Sequence, residues 1–441
     1  MINLRQENRE LKEEIRLLKR HIAYLESVIR QYINENTPSS QIPAHKKEEP
    51  KTDVAKPKKP LGKPPGSAGG TRVPPQIDDE KVVRLDQYEA YLGEPIGFYE
   101  RTIVDITALP RAQWIRYYLA QYSDPVTGQI ITATDERCPK QGCIGPHLRS
   151  LITLLREQCN LSEGKTAGLL QSIFGFDVSA ATIEATLAST ARLFQPSYNA
   201  LAQTISTATI KHSDETSQSV NGKQWCCYTF STQQHTYYFT EPSKRAQHIK
   251  DRLIDNGNNV LVCDGHSIYT WYSIKQRCWS HAIRKDRWLL NDKETDERLF
   301  LHEGVSGIFE RAKNLLKREP PGAHLLEEVL MLRNRMTKII NYAWKDPECE
   351  KVANYMKNGW DSWFTFMFVP GVEPTNNLNE RDIRKHVMRR KISGCFRTEQ
   401  GLNDHCILLS MIETWRKNDL DVYRELTDAM KQYNAYSPWQ A

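Results

Sequence analysis

Residues 208–241 read ATIKHSDETSQSVNGKQWCCYTFSTQQHTYYFTE, and residues 258–266 read NNVLVCDGH. The first piece carries three strand patterns in succession. ATIKHSDET ends in acids. QWCCYTFST is a nearly continuous apolar run, as a strand covered on both faces requires. HTYYFTE follows after a short polar turn. SKRAQHIKDRLID then reads as a helix with Ala246, Ile249 and Leu253 on one side. NNVLVCDGH is a short buried strand that again closes on an acid. Three strands, a helix and a further strand with a terminal Asp is the order of an RNase H-like α/β core built on a mixed sheet.

The order has a chemical consequence. Asp214 and Asp264 are expected at strand ends, and neighbouring strands would bring their carboxylates together at one edge of the sheet. Two close carboxylates repel and resist ionisation. A hard divalent cation such as Mg²⁺ removes that penalty and prefers such oxygen ligands. A third acid would complete a site for two ions about 4 Å apart, which can activate an attacking oxygen and stabilise the leaving oxygen of a phosphodiester. Glu215 is expected on the opposite face of its strand and is left out of the set.

The third acid is expected as Glu380, in TNNLNERDIRKHVMRRK. Thr375 or Asn376 can cap that helix, and Asn376 and Asn377 are expected to support the acid. Glu380, Ile383, Arg384 and Val387 recur at three- and four-residue steps, which places them on one face. Fifty residues separate the two aspartates, but more than a hundred separate Asp264 from Glu380. The longer interval is helical in pattern from Ala282 to Met367, so an insertion over about 282–370 is expected within a catalytic domain spanning 207–420. The basic run Arg381, Arg384, Lys385, Arg389, Arg390 and Lys391 begins on the same helix. It is expected to line the approach to the metals, where substrate phosphates must lie.

Working outward, residues 1–35 show a heptad pattern. Ile15, Ile22 and Ile29 fall at position a and Leu4, Leu11, Leu18 and Leu25 at d, with Asn8 as a polar a position. That choice favours a parallel two-stranded coiled coil. Residues 36–76 are rich in Pro, Lys, Gly and Ser and read as a disordered tether. Its Lys56, Lys58, Lys59, Lys63 and Arg72 can also hold phosphates without reading sequence. Residues 77–145 read as a small β-rich domain. Residues 146–206 read as helical, with a helix-turn-helix capped by Ser162 and Ser179 and broken at Gly175. The opening of its second helix offers little to hydrogen-bond a base, so packing is the preferred role. Residues 421–441 are left as a tail.

The chain has 441 residues and a net charge of +6, which suits a polyanionic partner without requiring one. No apolar run approaches the roughly 20 residues needed to span a bilayer, and the charged N-terminus is unlike a secretory signal. Ten scattered cysteines fit reduced thiols in a cytoplasm better than a disulfide framework.

Four stretches also carry a family likeness: HSDETSQSVNGKQW, VLVCDGHSIYTW, QRCWSHAIRKD and EPTNNLNERDIRKHVMRRKISG. In that order, with the heptads, the basic linker and SMIETWRKNDLDVYREL, they resemble DDE transposases of the insertion-sequence-66 family over most of the chain. The resemblance implies Asp214, Asp264 and Glu380 as catalytic and metal-binding residues, with two Mg²⁺ ions, or Mn²⁺ in their place. It implies double-stranded DNA as partner, both the terminal inverted repeats of a prokaryotic mobile element and a target, on the nucleoid in the cytoplasm. It also implies accessory proteins from the same element and a homodimer or larger assembly joined by the coiled coil. Cys278 and His281 resemble the family's Cys-x-x-His feature, so His281 is expected near the active site. The family's small zinc domain has two Cys-x-x-Cys knuckles, but Leu85, Tyr88, Asp124 and Thr127 stand where those cysteines would be. The small domain is therefore expected to hold no zinc, and none is expected at Cys278 and His281 either, because a structural zinc would need two more ligands and none sits at suitable local spacing.

The expected reaction has two steps: water frees a 3′-hydroxyl at the element end, and that hydroxyl then attacks target DNA. Two other readings share these residues. One is a structure-specific nuclease of the same fold, and the other is a non-catalytic DNA-binding descendant.

Overall fold

The computed structural model describes residues 111–123, 127–318 and 322–436. The expected coiled coil, the linker with its five basic residues, residues 77–110, and Leu85, Tyr88 and Asp124 lie outside the described residues. Of the small β-rich region, a hairpin of β1 (Gln121–Ser123) and β2 (Ile130–Thr132) is described.

The sheet is built around β3 (Ile210–Val220). This strand turns through Asn221 and Gly222, both at positive φ of 47° and 75°, into antiparallel β4 (Lys223–Ser231). Asn-Gly is the dipeptide whose left-handed tolerance matches a two-residue turn to strand twist. β5 (Thr236–Glu241) pairs antiparallel with β4. After a short helix, α4 (Ala246–Lys250), β6 (Val260–Cys263) returns parallel to β3, and β7 (Ile274–Arg277) lies parallel to β6. The strand order is β5-β4-β3-β6-β7, a five-stranded mixed sheet in an α/β core.

Period-two alternation sends the strand residues to opposite faces of the sheet. Cys226, Tyr228, Phe230, Tyr237, Phe239, Leu261 and Cys263 join one cluster. Val260 and Val262 face the other, with Trp279, Trp363 and Phe364. The second core belongs to helices between β7 and the Glu380 helix: α5 (Trp279–Asp292), α6 (Asp296–Leu316), α7 (Gly322–Ile340) and α8 (Pro347–Lys357).

The first core takes in the region read as a separate helical segment. It comprises α1 (Pro146–Thr153), which continues as a π turn over Leu154–Gln158, then α2 (Glu163–Phe174) and α3 (Ala180–Thr207). Ser162 and Ser179 accept N–H groups from Lys165 and Thr182, and Gly175 sits at φ 63°, so the helix-turn-helix pair forms as its caps indicate. However, α3 runs Ile183, Leu187, Ala191, Phe194, Tyr198, Leu201 and Ile205 into the same cluster as the sheet. Residues 146–206 and the sheet thus share one core, and α3 is a packing helix.

The catalytic-helix candidate α9 (Asn377–Ser393) is followed by α10 (Glu399–Lys417) and α11 (Val422–Ala435). α10 runs along the β5 edge. Its Ser410 and Thr414 hydroxyls accept the Tyr238 and Thr236 N–H groups at 2.9 and 3.1 Å, which leaves that stretch of edge no free donors for another strand. The supposed tail is instead a packed helix over Val422–Ala435. Leu426 and Met430 are buried, and Thr427 donates to Ser150 at 2.9 Å. Burying each of those two apolar side chains contributes roughly 1.5–3 kcal/mol, more than a free tail could forgo.

Candidate active site

Parallel pairing of β3 with β6 matches Ile210 to Val260 and His212 to Val262. Asp214 and Asp264 each lie two residues beyond the last matched pair, so the register brings them side by side where the strands part. Asp264 stands just past its strand end, as expected. Asp214 does not, because β3 continues to Val220 against β4. It is a mid-strand residue at the point where β6 leaves.

The Asp264 turn is stiff. Its carboxylate accepts the His266 N–H at 2.8 Å. Arg277 donates to the Gly265 carbonyl at 2.8 Å and to the Tyr355 carbonyl at 2.9 Å. The Tyr355 and Trp363 rings lie 4.5 and 5.4 Å from this buried guanidinium. No signal in the sequence marked Arg277, because its partners come from a turn and a distant helix.

Helix α9 is fixed to the sheet by amides rather than by an apolar stripe. Asn376 stands at its N-cap, but its side chain does not cap. It donates to the Ser213 carbonyl at 2.8 Å and lies 3.1 Å from His212 Nδ1. Asn379 donates to the His212 and Thr229 carbonyls, at 3.1 and 2.9 Å. Asp382 accepts from Ser231 and Lys417, each at 2.6 Å. The buried face is therefore Leu378, Asn379, Asp382, Ile383, His386 and Arg389, while Arg384, which spacing groups with Glu380 and Ile383, is exposed. Asn377 is exposed and meets the Ser280 hydroxyl at 3.4 Å.

This anchoring turns Glu380 toward α5. One of its oxygens lies 3.3 Å from Arg284 and the other 3.6 Å from His281 Nδ1. Burial, then the charges of Glu215 and Asp264, then that of Glu380, push the Asp214 carboxyl well above the usual carboxylate range. Burial likewise lowers the His281 imidazole, against the pull of Glu380. Glu215 does take the opposite face of β3 from Asp214: Ser213 and Glu215 both meet the Tyr269 hydroxyl, and Lys244 pairs with Glu215. Burial and the Asp264 charge nonetheless raise its carboxyl too, so it belongs to the same acidic centre.

The expected basic run divides. Arg381, Arg384 and Lys391 are exposed and Lys385 is half-buried. Arg389 is buried and donates to the Arg156 carbonyl at 2.7 Å, so it is withdrawn from any DNA surface. Arg390 is half-buried and donates to Ser217 and to Thr216, tying α9 to β3. Beside Arg284, the exposed side of α5 offers a groove lined by Ser280, Ile283, Arg287, Trp288 and Asn291.

The donor set suits hard divalent cations. Asp264 and Glu380 both act on Asp214 through their charges, and the Glu380 oxygen facing His281 is buried without a hydrogen bond; among the described residues the ligand atoms that lie within 4.8 Å of one another are those of Cys278, His281 and Glu380, not of the three acids. Asp214 resists ionisation as long as nothing positive joins it.

The profile described as Transposase IS66 family matches residues 141–404. The chain belongs to the IS66 transposase family. The matched span of this IS66 chain holds Asp214, Asp264, Glu380, Cys278 and His281. No curated protein matches the chain. Among its described residues no helix is long and apolar enough to cross a membrane.

Proposed function

We propose that this IS66-family chain is a DNA transposase with an RNase H-like core, in which Asp214, Asp264 and Glu380 act together on phosphodiesters at the ends of a mobile element. What supports this reading is that the β3–β6 register sets Asp214 beside Asp264, and that the charges of Asp264 and of Glu380, carried by the amide-anchored α9, both act on Asp214. The same three residues would hold a pair of Mg²⁺ ions, or Mn²⁺. When bound, such a pair supplies Lewis acidity to both the attacking and the leaving oxygen of an in-line displacement.

The chain's own residues do the rest. Arg277 and the Gly265 turn fix the Asp264 carboxylate. Asn376 and Asn379 fix the helix that carries Glu380. Arg284, 3.3 Å from Glu380, holds that carboxylate until substrate arrives and can then turn its charge to a phosphate. Arg381, Arg384 and Lys391, exposed on α9, would meet backbone phosphates and position DNA without reading its sequence. Cleavage at an element end leaves a 3′-hydroxyl. The same carboxylates then serve its attack on target DNA, with no covalent protein–DNA intermediate. Work at two DNA ends calls for two copies, for which the heptads of residues 1–35 are the proposed connection, and accessory proteins of the element are proposed further partners.

The test is strand transfer with pre-cut element ends and a target plasmid in Mg²⁺. Wild-type chain should join the ends. Asp214→Asn, Asp264→Asn and Glu380→Gln should each lower joining by at least about 100-fold, the scale of losing an electrostatic group from a reacting centre. Cleavage without joining would reassign the chain as a nuclease, and joining by the triple variant would reject the site.

A further inference from the structure

The Cys-x-x-His feature has a third partner that its local sequence does not reveal. Cys278 stands at the N-cap of α5 and His281 on its first turn. Glu380 arrives from α9, and the sulfur, a ring nitrogen and a carboxylate oxygen lie within 4.8 Å of one another. Two of these atoms are buried and unsatisfied: His281 Nδ1 and Glu380 Oε1 face each other at 3.6 Å, and neither has a hydrogen-bond partner. The third, the buried Cys278 sulfur, accepts the Asn376 N–H at 3.1 Å. Burial pushes the Cys278 thiol up to about 11, and the Asn376 N–H opposes that only in part, so it is a bound ion that would yield the thiolate.

We propose that Cys278, His281 and Glu380 form a second metal site, one that takes Zn²⁺ and shares Glu380 with the hard-cation site. The donor chemistry separates the two ions. A thiolate and an imidazole select a borderline-soft ion over Mg²⁺. Zinc–ligand bonds of about 2.0–2.3 Å imply ligand atoms roughly 3.3–3.7 Å apart around a tetrahedron. The His281–Glu380 separation of 3.6 Å already meets that spacing, and the sulfur, within 4.8 Å of the other two atoms, would have to come closer as the ion binds. Three protein ligands leave a fourth position for water. Binding releases the Cys278 proton to solvent. Arg284 holds the other Glu380 oxygen and is partly exposed, so it can turn away as the ion enters.

A consequence for regulation rests on the transposase reading. A Glu380 engaged by Zn²⁺ is no longer available to complete the acidic centre, so Zn²⁺ would act as an inhibitor at levels far below those of Mg²⁺. The binding claim does not depend on that reading and is tested apart from it.

The experiment is Co²⁺ titration of the full chain, following the sulfur-to-cobalt charge-transfer absorption, with millimolar Mg²⁺ present. Wild-type chain should give the band at one Co²⁺ per chain, and Zn²⁺ should abolish it. Asp214→Asn/Asp264→Asn, which dismantles the proposed catalytic centre, should keep it. Cys278→Ser should lose it, and His281→Asn should weaken binding by at least 10-fold. Should Cys278→Ser fail to fold by circular dichroism, His281→Asn decides alone. No band in folded wild-type chain, a band that survives Cys278→Ser, or unweakened binding by His281→Asn overturns the site. A normal band together with failed strand transfer would overturn only the catalytic reading.

Discussion

At the scale of single residues, Asp214 is where the fold works against itself. Burial and three neighbouring acids raise its carboxyl, so the folded chain holds the proton more tightly than the unfolded chain does. Stability is then lost as pH climbs from the ordinary carboxylate range toward the raised folded value. Without metal, Asp214→Asn should therefore raise the thermal midpoint near neutral pH, and the gain should shrink in acid. Mg²⁺ should stabilise the wild-type chain, by about 1.4 kcal/mol at ten times its dissociation constant, and leave the variant nearly unmoved. Calorimetry across pH, with and without Mg²⁺, checks both; a variant less stable than wild type near neutral pH would contradict the argument. Gly265 is the second sensitive residue. A Cβ there would stand 1.9 Å from the Arg277 guanidinium and 2.4 Å from the Tyr355 ring. Arg277 cannot yield cheaply, held as it is by two carbonyls and two rings. Gly265→Ala should cost about 1–3 kcal/mol and, by moving Asp264, lower metal-dependent cleavage by roughly 100-fold. Unchanged cleavage would show that the turn does not fix the acid.

At the scale of elements, legibility tracked how local the cause was. The strands could be read because alternation and an apolar run are written within a few residues of each other, but the end of β3 was placed too early, since Asp214 lies inside a strand that runs on to Val220 against β4. The caps at Ser162, Gly175 and Ser179 were legible for the same reason. The inner face of α9 was not, because its burial is polar: the Asn379 amide N–H and the Asp382 carboxylate meet a carbonyl and a hydroxyl of strands more than a hundred positions away. Arg389 looked like one more cation of a DNA-facing run, and nothing nearby reveals that its partner is a carbonyl 233 residues back, in the π turn after α1. The distinction is measurable. Arg389→Ala removes a charged hydrogen bond and should cost roughly 1.5–3 kcal/mol of stability, while leaving the salt dependence of DNA binding unchanged. Arg384→Ala should do the reverse, with little loss of stability and a fall of about 0.9 in the slope of log affinity against log salt for the one phosphate released. Urea denaturation and binding titrations at several salt concentrations read the two effects, and an altered slope for Arg389→Ala would return that residue to the DNA surface.

At the scale of the whole molecule, the question is which part of the chain the acidic centre needs. Residues Pro110–Ala441 cluster as a unit of their own. Within it one core joins α1, α3, α10 and α11 to one face of the sheet, and a second joins α5–α8 to the other. Both faces are covered, α10 meets the donors of the β5 edge, and every residue proposed to reach the metals lies inside. The proposed task of the heptads of residues 1–35 is to join two copies. A fragment beginning at Pro110 should therefore fold, with a thermal midpoint within a few degrees of the corresponding transition in the full chain, and should keep metal-dependent nicking of DNA. It should sediment as a monomer where the full chain sediments as a dimer or larger. Paired joining of two element ends should fall much further than single-end nicking, because two reactions held together by tethering lose an effective concentration of order millimolar when the tether is cut. Sedimentation equilibrium and a comparison of single-end with paired-end products separate these effects. A fragment that still dimerises and joins ends in pairs would place the assembly surface within residues 110–441 and leave the N-terminal heptads without the role proposed for them.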